Sequence, residues 1–298
     1  MISASRRREA IEGYIGISPW LIGFLVFTAG PLIASFVLSF SDWQISIDPR
    51  WVGLGNYIKI FTDDHEFYTA LEVTFTYVAM FLPMDLVLGV GLSLLLNQKV
   101  PGVGVFRTVF YLPVVLSGVS VSLMWMWVLN PDWGLANTLL GLVGIQGPGW
   151  YWDPDWALPS VVLMGLWRVG GSAVIYLAGL QNISPQLYEA AEIDGAGVLR
   201  RLWHITLPLL TPTVFFQLVM QLIDAFQVFT SVYVITSGGP LHRTFFYMFY
   251  LYRTAFQDFD MGYASALAWI IGVIIMLFTA LVFKSSALWV YYESEGRR

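Results

Sequence analysis

Cysteine is absent from the 298 residues, histidine occurs three times, and charged residues make up only 12% of the chain. Without cysteine there is no disulfide framework, no thiolate metal site and no thiol nucleophile. His65, His204 and His242 lie far apart in sequence, which argues against a histidine metal cluster. Soluble domains carry about 25% charged residues, so this chain has half the charge that a water-exposed surface needs, which argues against a soluble globular enzyme. Fifteen bases against 20 acids, a net charge of −5, argue against a nucleic-acid partner. What fills the chain instead is apolar: 57% of residues are hydrophobic and 16% aromatic, with a mean hydropathy of +0.67. About 20 apolar residues cross a bilayer, and the length accommodates six such spans with short connections. The composition is that of a polytopic membrane protein.

Residues 13–41 hold no Asp, Glu, Lys or Arg and follow the basic cluster Arg6-Arg7-Arg8. A cleaved signal peptide has an apolar core of about 7–15 residues, so this longer stretch reads as a retained first helix. Further spans are expected over 73–97, interrupted by Asp85, over 108–130, and over 157–181 with Arg168 inside. The fifth covers 209–236 with Asp224 inside, and the sixth covers 261–283. The uncharged stretch 133–152 is punctuated by Gly134, Asn137, Gly141, Gly144, Gly147, Pro148 and Gly149. That leaves about ten good helix residues, too few to cross. It reads as a short helix at the membrane surface, with Trp133, Trp150, Tyr151, Trp152 and Trp156 at headgroup level.

Six crossings place both termini on one side, and the bases choose which. With the N-terminus inside, Arg6, Arg7, Arg8, Lys99, Arg107, Arg200, Arg201, Lys284, Arg297 and Arg298 are inner, against Arg50, Lys59, Arg243 and Arg253 outer. Ten against four follows the positive-inside bias. The expected architecture is an all-α membrane protein of six transmembrane helices with both termini cytoplasmic. A segment 1–12 precedes a single transmembrane domain over 13–285, and a tail 286–298 follows it.

Charge at the bilayer centre costs about 2.5–3.5 kcal/mol on insertion scales, so Asp85, Arg168 and Asp224 need partners or water. In the fifth span Gln217, Gln221, Asp224 and Ser231 recur at steps of four, three and seven, one face of a helix, with Gln227 slightly off it. Such a stripe either lines a hydrophilic pathway or holds helices together. Arg168 sits in Trp167-Arg168-Val-Gly-Gly-Ser172, where two glycines allow close approach. An ion pair with Asp85 or Asp224, stabilisation of helix ends, and direct contact with a hydroxylated or anionic solute are all open to it. Asp85 by itself reads as a partner for Arg168.

The loop between the fourth and fifth spans is the most specific segment. Ser184 can cap a helix whose first turn holds Pro185, and Ala190 and Ala191 leave that helix smooth enough for a partner to come close. Gly195 and Gly197 end it in a tight turn, and a second short helix follows until Pro208 starts the fifth span. A helix–turn–helix beneath a membrane bundle is a docking knob, and its tie to the fifth span transmits motion to the polar stripe.

Glu189-Ala190-Ala191, three residues, Gly195, nine residues, Ile205, one residue and Leu207-Pro208 resemble, at every spacing, the EAA motif of bacterial ABC-importer permeases. The carbohydrate branch of that family, the maltose permease MalF family, is resembled further. The matches are Asn97…Phe106-Arg107…Leu112-Pro113, Leu180-Gln-Asn-Ile183, and the stretch from Thr236-Ser-Gly-Gly-Pro240 to Gly262-Tyr-Ala-Ser-Ala266. The resemblance, over about residues 14–285, implies a type I importer permease in a bacterial or archaeal inner membrane, itself non-catalytic. It implies a second homologous permease subunit forming a heterodimer with this one, an ATPase dimer that binds ATP and Mg, and an extracytoplasmic solute-binding protein delivering a sugar-like solute. Within the loop 182–208, Glu189, Ala190, Ala191, Asp194, Gly195 and Gly197 would enter the ATPase, with Arg200 and Arg201 at its edge; positive-inside bias alone also accounts for the two arginines. Counting from Pro113, Glu189 and Pro208, solute contacts would by this resemblance fall near Ser117-Gly118, Trp167-Arg168, and Gln221 with Asp224, which joins Gln217 on the same stripe. Residues 242–256, rich in Phe and Tyr, offer a surface helix that either touches the binding protein or anchors in the membrane.

Position 202, often aromatic in relatives, is leucine with Trp203 beside it, and the large periplasmic domain of the maltose permease is missing from the short loop 42–72. An ion-gradient-driven secondary transporter using Asp85, Arg168 and Asp224 as a relay is the alternative, though such folds show inverted repeats and none is convincing here. An intramembrane enzyme lacks any His/Glu metal motif or Ser/His pair. Arg168 leaves room for a phosphorylated, sulfonated or uronic sugar beside the neutral oligosaccharides that the family favours.

Overall fold

The computed structural model describes residues 4–44 and 48–291. Arg297 and Arg298, and the side chains of Arg6 and Arg7, all counted above among the inner bases, lie outside what is described. The chain divides into two compact units. One takes in the described residues up to Asp64 with Leu251–Gly272; the other takes in His65–Tyr250 with those from Val273 onward. The stretch 13–285 therefore contributes to both.

In the first unit, α1 (Ala4–Phe24) passes through a π-helical turn, Leu25–Ala29, into α2 (Gly30–Leu38). Pro31 stands in the first turn of α2. A proline has no N–H to give the preceding turn, and the wider turn before it accommodates that loss without breaking the helix. Ile11–Leu38 is thus one continuous span, and none of its apolar window is buried. Strand β1 (Ser41–Asp42) pairs antiparallel with β2 (Arg50–Trp51), Ser41 opposite Trp51. Asn56, on α3 (Gly55–Thr62), closes this corner by donating to the carbonyls of Ser39 and Ser41 at 3.0 and 2.9 Å. Tyr263 donates its hydroxyl to Asp64 at 2.6 Å, and the Lys59 ammonium lies 4.9 Å from the Tyr263 ring centre. Burial raises the Asp260 carboxyl above the usual carboxylate range, opposed by the Tyr263 N–H that it accepts and by Lys59.

The second unit is built on α4 (His65–Leu96), a single 32-residue helix that begins well before the expected residue 73. Next come α5 (Val103–Val115), α6 (Gly118–Val128), α7 (Leu135–Leu142), α8 (Ala157–Leu166) and α9 (Gly170–Gln181). They are followed by α10 (Pro185–Ile193), α11 (Val198–Arg201), α12 (Leu207–Phe226) and α13 (Thr230–Ile235). The last two helices, α14 (Tyr247–Phe256) and α15 (Met261–Trp289), give residues to both units. α8, α9 and α12 pack on α4, α5 packs on α9, and α13 packs on α6.

Among the described residues, four helical stretches are long and apolar enough to cross a membrane, or up to six if each of two bent pairs is one span. The third expected span is not one rod. α5 and α6 meet at 104°, because Leu116 and Ser117 adopt extended backbone, ψ 145° and 137°, three residues after Pro113. The fourth bends by 42° between α8 and α9, at Trp167–Val169. The fifth is longer than expected: Pro208 does not start it, since α11, a π-helical turn Leu202–Thr206, α12 and α13 form one stretch Val198–Ile235.

The surface segment 133–152 contains only the eight-residue α7 and a single 3-10 turn, Trp150–Trp152. Asn137 organises it, donating to the carbonyls of Pro131 and Pro148 and accepting from the Trp150 indole at 2.6 Å. Trp133, Trp152 and Trp156 are exposed, as an interfacial girdle requires, but Tyr151 is 2% exposed. Burial pushes its phenol up, and it belongs to the packed interior rather than the headgroup layer. The aromatics before and within α14 also depart from the expected surface helix: Phe245, Phe246, Tyr247, Phe249 and Tyr250 are buried. The Phe246 ring packs edge-on against Tyr77, and the Tyr247 N–H donates to Thr74 on α4. Aromatic side chains bury large areas at low cost in rotamer freedom, so this segment serves as core.

Candidate functional site

A cavity of about 660 Å³ opens in the second unit, within the range of small-solute sites. Its walls are α4 (Tyr77, Phe81, Asp85), the α5–α6 break (Val114, Gly118), the α8–α9 break (Gly165, Arg168, Ser172) and the end of α12 with α13 (Gln217, Gln221, Asp224, Gln227, Ser231). Both helix breaks face the cavity. Inside a bilayer, unpaired backbone at a break is tolerated only where it is buried in protein or lines water. Two breaks around one polar hollow therefore mark a hydrated recess.

Glycine permits the close packing that shapes it. A Cβ on Gly170 would collide with the carbonyl of Phe110, and one on Gly89 would lie 2.9 Å from the Tyr176 ring. α9 is thereby held directly against α5 on one side and α4 on the other.

The polar wall is organised by Ser172, on the first turn of α9 and 1% exposed. Its hydroxyl donates to Asp85 Oδ2 at 2.8 Å and accepts from Gln217 Nε2 at 3.1 Å and Gln221 Nε2 at 2.8 Å. A hydroxyl has one donor and two acceptor positions, and all three are used. Asp85 is 3% exposed. Its partner is Ser172, which corrects the expected pairing with Arg168. Among the described residues neither Arg168 nor Asp224 has an ion-pair partner; both are exposed to the cavity. Ser172 is the residue that sequence reasoning passes over, since a lone serine after Gly-Gly carries no linear signal for a partner 87 residues upstream.

The five polar positions 217, 221, 224, 227 and 231 all line the cavity, although the helix they share is interrupted. α12 ends at Phe226, Gln227 caps it, and Ser231 stands on α13. Gln217 Oε1 is buried and among the described residues has no hydrogen-bond partner. Ser117 and Trp167 do not line the cavity. Ser117 is the N-cap of α6, and Trp167 caps the end of α8 with its ring edge-on to Trp125 at 5.9 Å.

The second constellation is the loop after α9. Ser184 takes the N-cap position of α10 with Pro185 behind it, but its hydroxyl contacts Gln186 Oε1 rather than a backbone N–H. α10 ends in a Schellman turn. The Ala196 N–H reaches the Ala191 carbonyl at 2.8 Å and the Gly195 N–H reaches that of Glu192 at 3.0 Å. Gly195 has φ +75° with open space around it, so backbone conformation alone demands glycine there. Gly197 has an ordinary φ of −68° and is the N-cap of α11. Glu189, Ala190, Asp194 and Arg200 are exposed and Ala191 is half-buried. Arg201 is instead drawn into an ion pair with Glu192, tying α10 to α11.

Two features of this loop lie outside the sequence reading. Ile193, Val198 and Leu199 are 87%, 73% and 72% exposed, an apolar patch flanking the turn. Tyr188 packs with Ile205, Leu207 and Leu209 against a buried cluster of Val90, Tyr176, Leu180, Ile183 and Leu210, and its hydroxyl lies 3.0 Å from Thr206 Oγ1. The loop is thus joined through α10 to α4, α9 and α12, the helices that carry the Ser172 node.

Comparison with known proteins places this geometry. A family model described as binding-protein-dependent transport system inner membrane component matches residues 85–288. The chain is 45% identical over 297 residues, 98% of its length and 96% of the relative's, to the probable ABC transporter permease protein YesP of Bacillus subtilis. It is 32% identical to the trehalose/maltose transport system permease protein MalF of Thermococcus litoralis, covering 95% of this chain and 96% of that one. Among solved structures, its fold is similar to a chain in a bacterial ABC transporter involved in the import of the acidic polysaccharide alginate. The TM-score is 0.83 at 24% identity, over 95% of this chain and 97% of that one.

Proposed function

Because this chain belongs to the inner membrane components of binding-protein-dependent transport systems and is a multi-pass permease subunit of an ABC importer, we propose that it carries a sugar or sugar derivative through the cavity around Ser172. Family membership excludes the ion-gradient-driven alternative. The observation that carries the proposal is the meeting of two broken spans at one polar recess, with Arg168, Gln221 and Asp224 facing it. Amide, guanidinium and carboxylate groups together match the hydroxyls of a carbohydrate, and the trehalose/maltose name of one relative supports that class.

In this reading both termini are cytoplasmic, an extracytoplasmic binding protein delivers the solute, and a second homologous permease subunit completes the path. An ATPase dimer, which binds the ATP and Mg, receives the α10–α11 loop. Glu189, Ala190, Asp194 and Gly195 would present the loop, and Ile193, Val198 and Leu199 would supply the apolar contact. Closure of the ATPases would pull this handle, and the cluster around Tyr188 would pass the motion to α9 and α12.

The cysteine-free chain provides a direct test in the assembled importer. Single cysteines at Gln221 and Asp224 should react with a water-soluble thiol reagent, and ATP binding should change the rate. A cysteine at Ile193 should cross-link to the ATPase. Unreactive cavity cysteines would sink the pathway, and absence of any cross-link would sink the docking assignment.

A further inference from the structure

We infer that Asp85 is a positioning residue that sets the hydrogen-bonding polarity of the cavity wall. Acting through Ser172, it turns the carbonyl oxygens of Gln217 and Gln221 away from the node, so that at Gln221 this wall accepts hydrogen bonds from a solute that donates them. The inference rests on the cavity being the solute pathway, but the polarity assignment can be tested without it.

Proton bookkeeping at the node carries the case. An ionised carboxylate accepts only, and the sole proton of the Ser172 hydroxyl goes to it, at 2.8 Å. The oxygen of Ser172 then has only lone pairs to offer α12. Both glutamines must meet it with their NH₂ groups, at 3.1 and 2.8 Å. Each amide is thereby oriented, because the end that does not face Ser172 is the carbonyl. For Gln217 that carbonyl is closed off, since its Oε1 is buried and among the described residues has no partner; for Gln221, half-buried on the cavity wall, it is the end left to the cavity. Polar groups in folded proteins are nearly always hydrogen-bonded, and an acceptor that Gln221 turns to the cavity is matched by a donor that arrives with the solute. Polyhydroxylated solutes carry such donors on every hydroxyl. Asp85 itself is 3% exposed, with its carboxylate held by Ser172.

The test reverses the polarity of the node in the full chain, reconstituted in lipid nanodiscs. Gln221→Glu alone leaves two carboxylates competing for one hydroxyl proton, and the unfolding midpoint should fall by roughly 3–6 °C. Adding Asp85→Asn restores the balance with two of the three bonds reversed and the Gln217 bond kept. The introduced asparagine amide can donate to Ser172, and Ser172 can donate to the introduced glutamate, so the double variant should recover most of the loss. A residue that merely fills space gives no such rescue. As a second readout, ¹⁵N spectra of glutamine-labelled protein should show side-chain NH₂ protons of Gln217 and Gln221 protected from water, with protection falling at least tenfold in Ser172→Ala. Additive penalties in the double variant, or unprotected amides in the native chain, would overturn the assignment. Rescue combined with unreactive cavity cysteines would instead uphold the polarity of the node and remove the pathway reading.

Discussion

Ser172 is 1% exposed and saturated by three polar partners from two other helices, whereas Ile193, Val198 and Leu199, a short way along the chain, stand 72–87% exposed with apolar side chains. The usual distribution of apolar inside and polar outside is inverted twice within one unit. At the node, polarity in a membrane interior is tolerable because every proton and lone pair of Ser172 is matched. At the loop, apolar side chains outside the bundle gain nothing within this chain, and their burial against a partner would contribute about 25 cal/mol per Å². Ser172 is fully matched within this chain; the loop is built for something still to come. The contrast predicts different responses to substitution.

The largest effect is expected where the frame of the node would be forced apart. Gly170→Val places a side chain into the Phe110 carbonyl, and neither backbone can move without unpacking α5 from α9. The variant should fail to accumulate as folded protein in the membrane; normal levels and a normal unfolding midpoint would show that the α5–α9 contact is dispensable. Next, Gly195→Val has free space around it but a φ of +75°, which costs an L-residue about 1–2 kcal/mol. The turn should reshape while the bundle remains folded. ATP-driven uptake by the assembled importer should drop severalfold or more with little change in the permease's midpoint, and unchanged uptake would count against the handle.

Ser172→Ala sharpens the comparison from the buried side. It strands Asp85 and two amides, and buried groups left without partners cost about 1–3 kcal/mol each. A drop of several degrees in the midpoint is expected. Glu192→Ala is the exposed counterpart. The Glu192 side chain is 62% exposed in its pair with Arg201, and surface ion pairs contribute about 0–1 kcal/mol. Its midpoint should stay within a degree or two of the native value, any change appearing as weaker coupling. Equal losses for Ser172→Ala and Glu192→Ala would erase the distinction between the regions.

Much of the architecture is legible in the chain. Asp85, Arg168, Gln217, Gln221 and Asp224 stand out as polar groups in apolar spans, and all five line one cavity. The loop's helix, its glycine turn and its second helix are visible in residue types at fixed offsets. Ser117 and Trp167 miss the cavity because counting along a helix assumes the helix is straight, and both stand beside a break. The Asp85–Arg168 pair fails for another reason. Opposite charges invite pairing on paper, but a neutral serine already positioned by Gly89 and Gly170 reaches Asp85 first.

Apolar content, the approximate places of the apolar stretches, the uneven distribution of the bases and the motif from Glu189 to Pro208 are properties of the chain read in order, and each was determined by the sequence alone. They depend on local composition and on spacings within a turn or two of helix. Which helices break, which aromatics become core and which serine receives an aspartate 87 residues away were decided only by the tertiary structure. Those outcomes depend on how distant segments compete for one another's surfaces and hydrogen bonds, a competition settled when the helices pack.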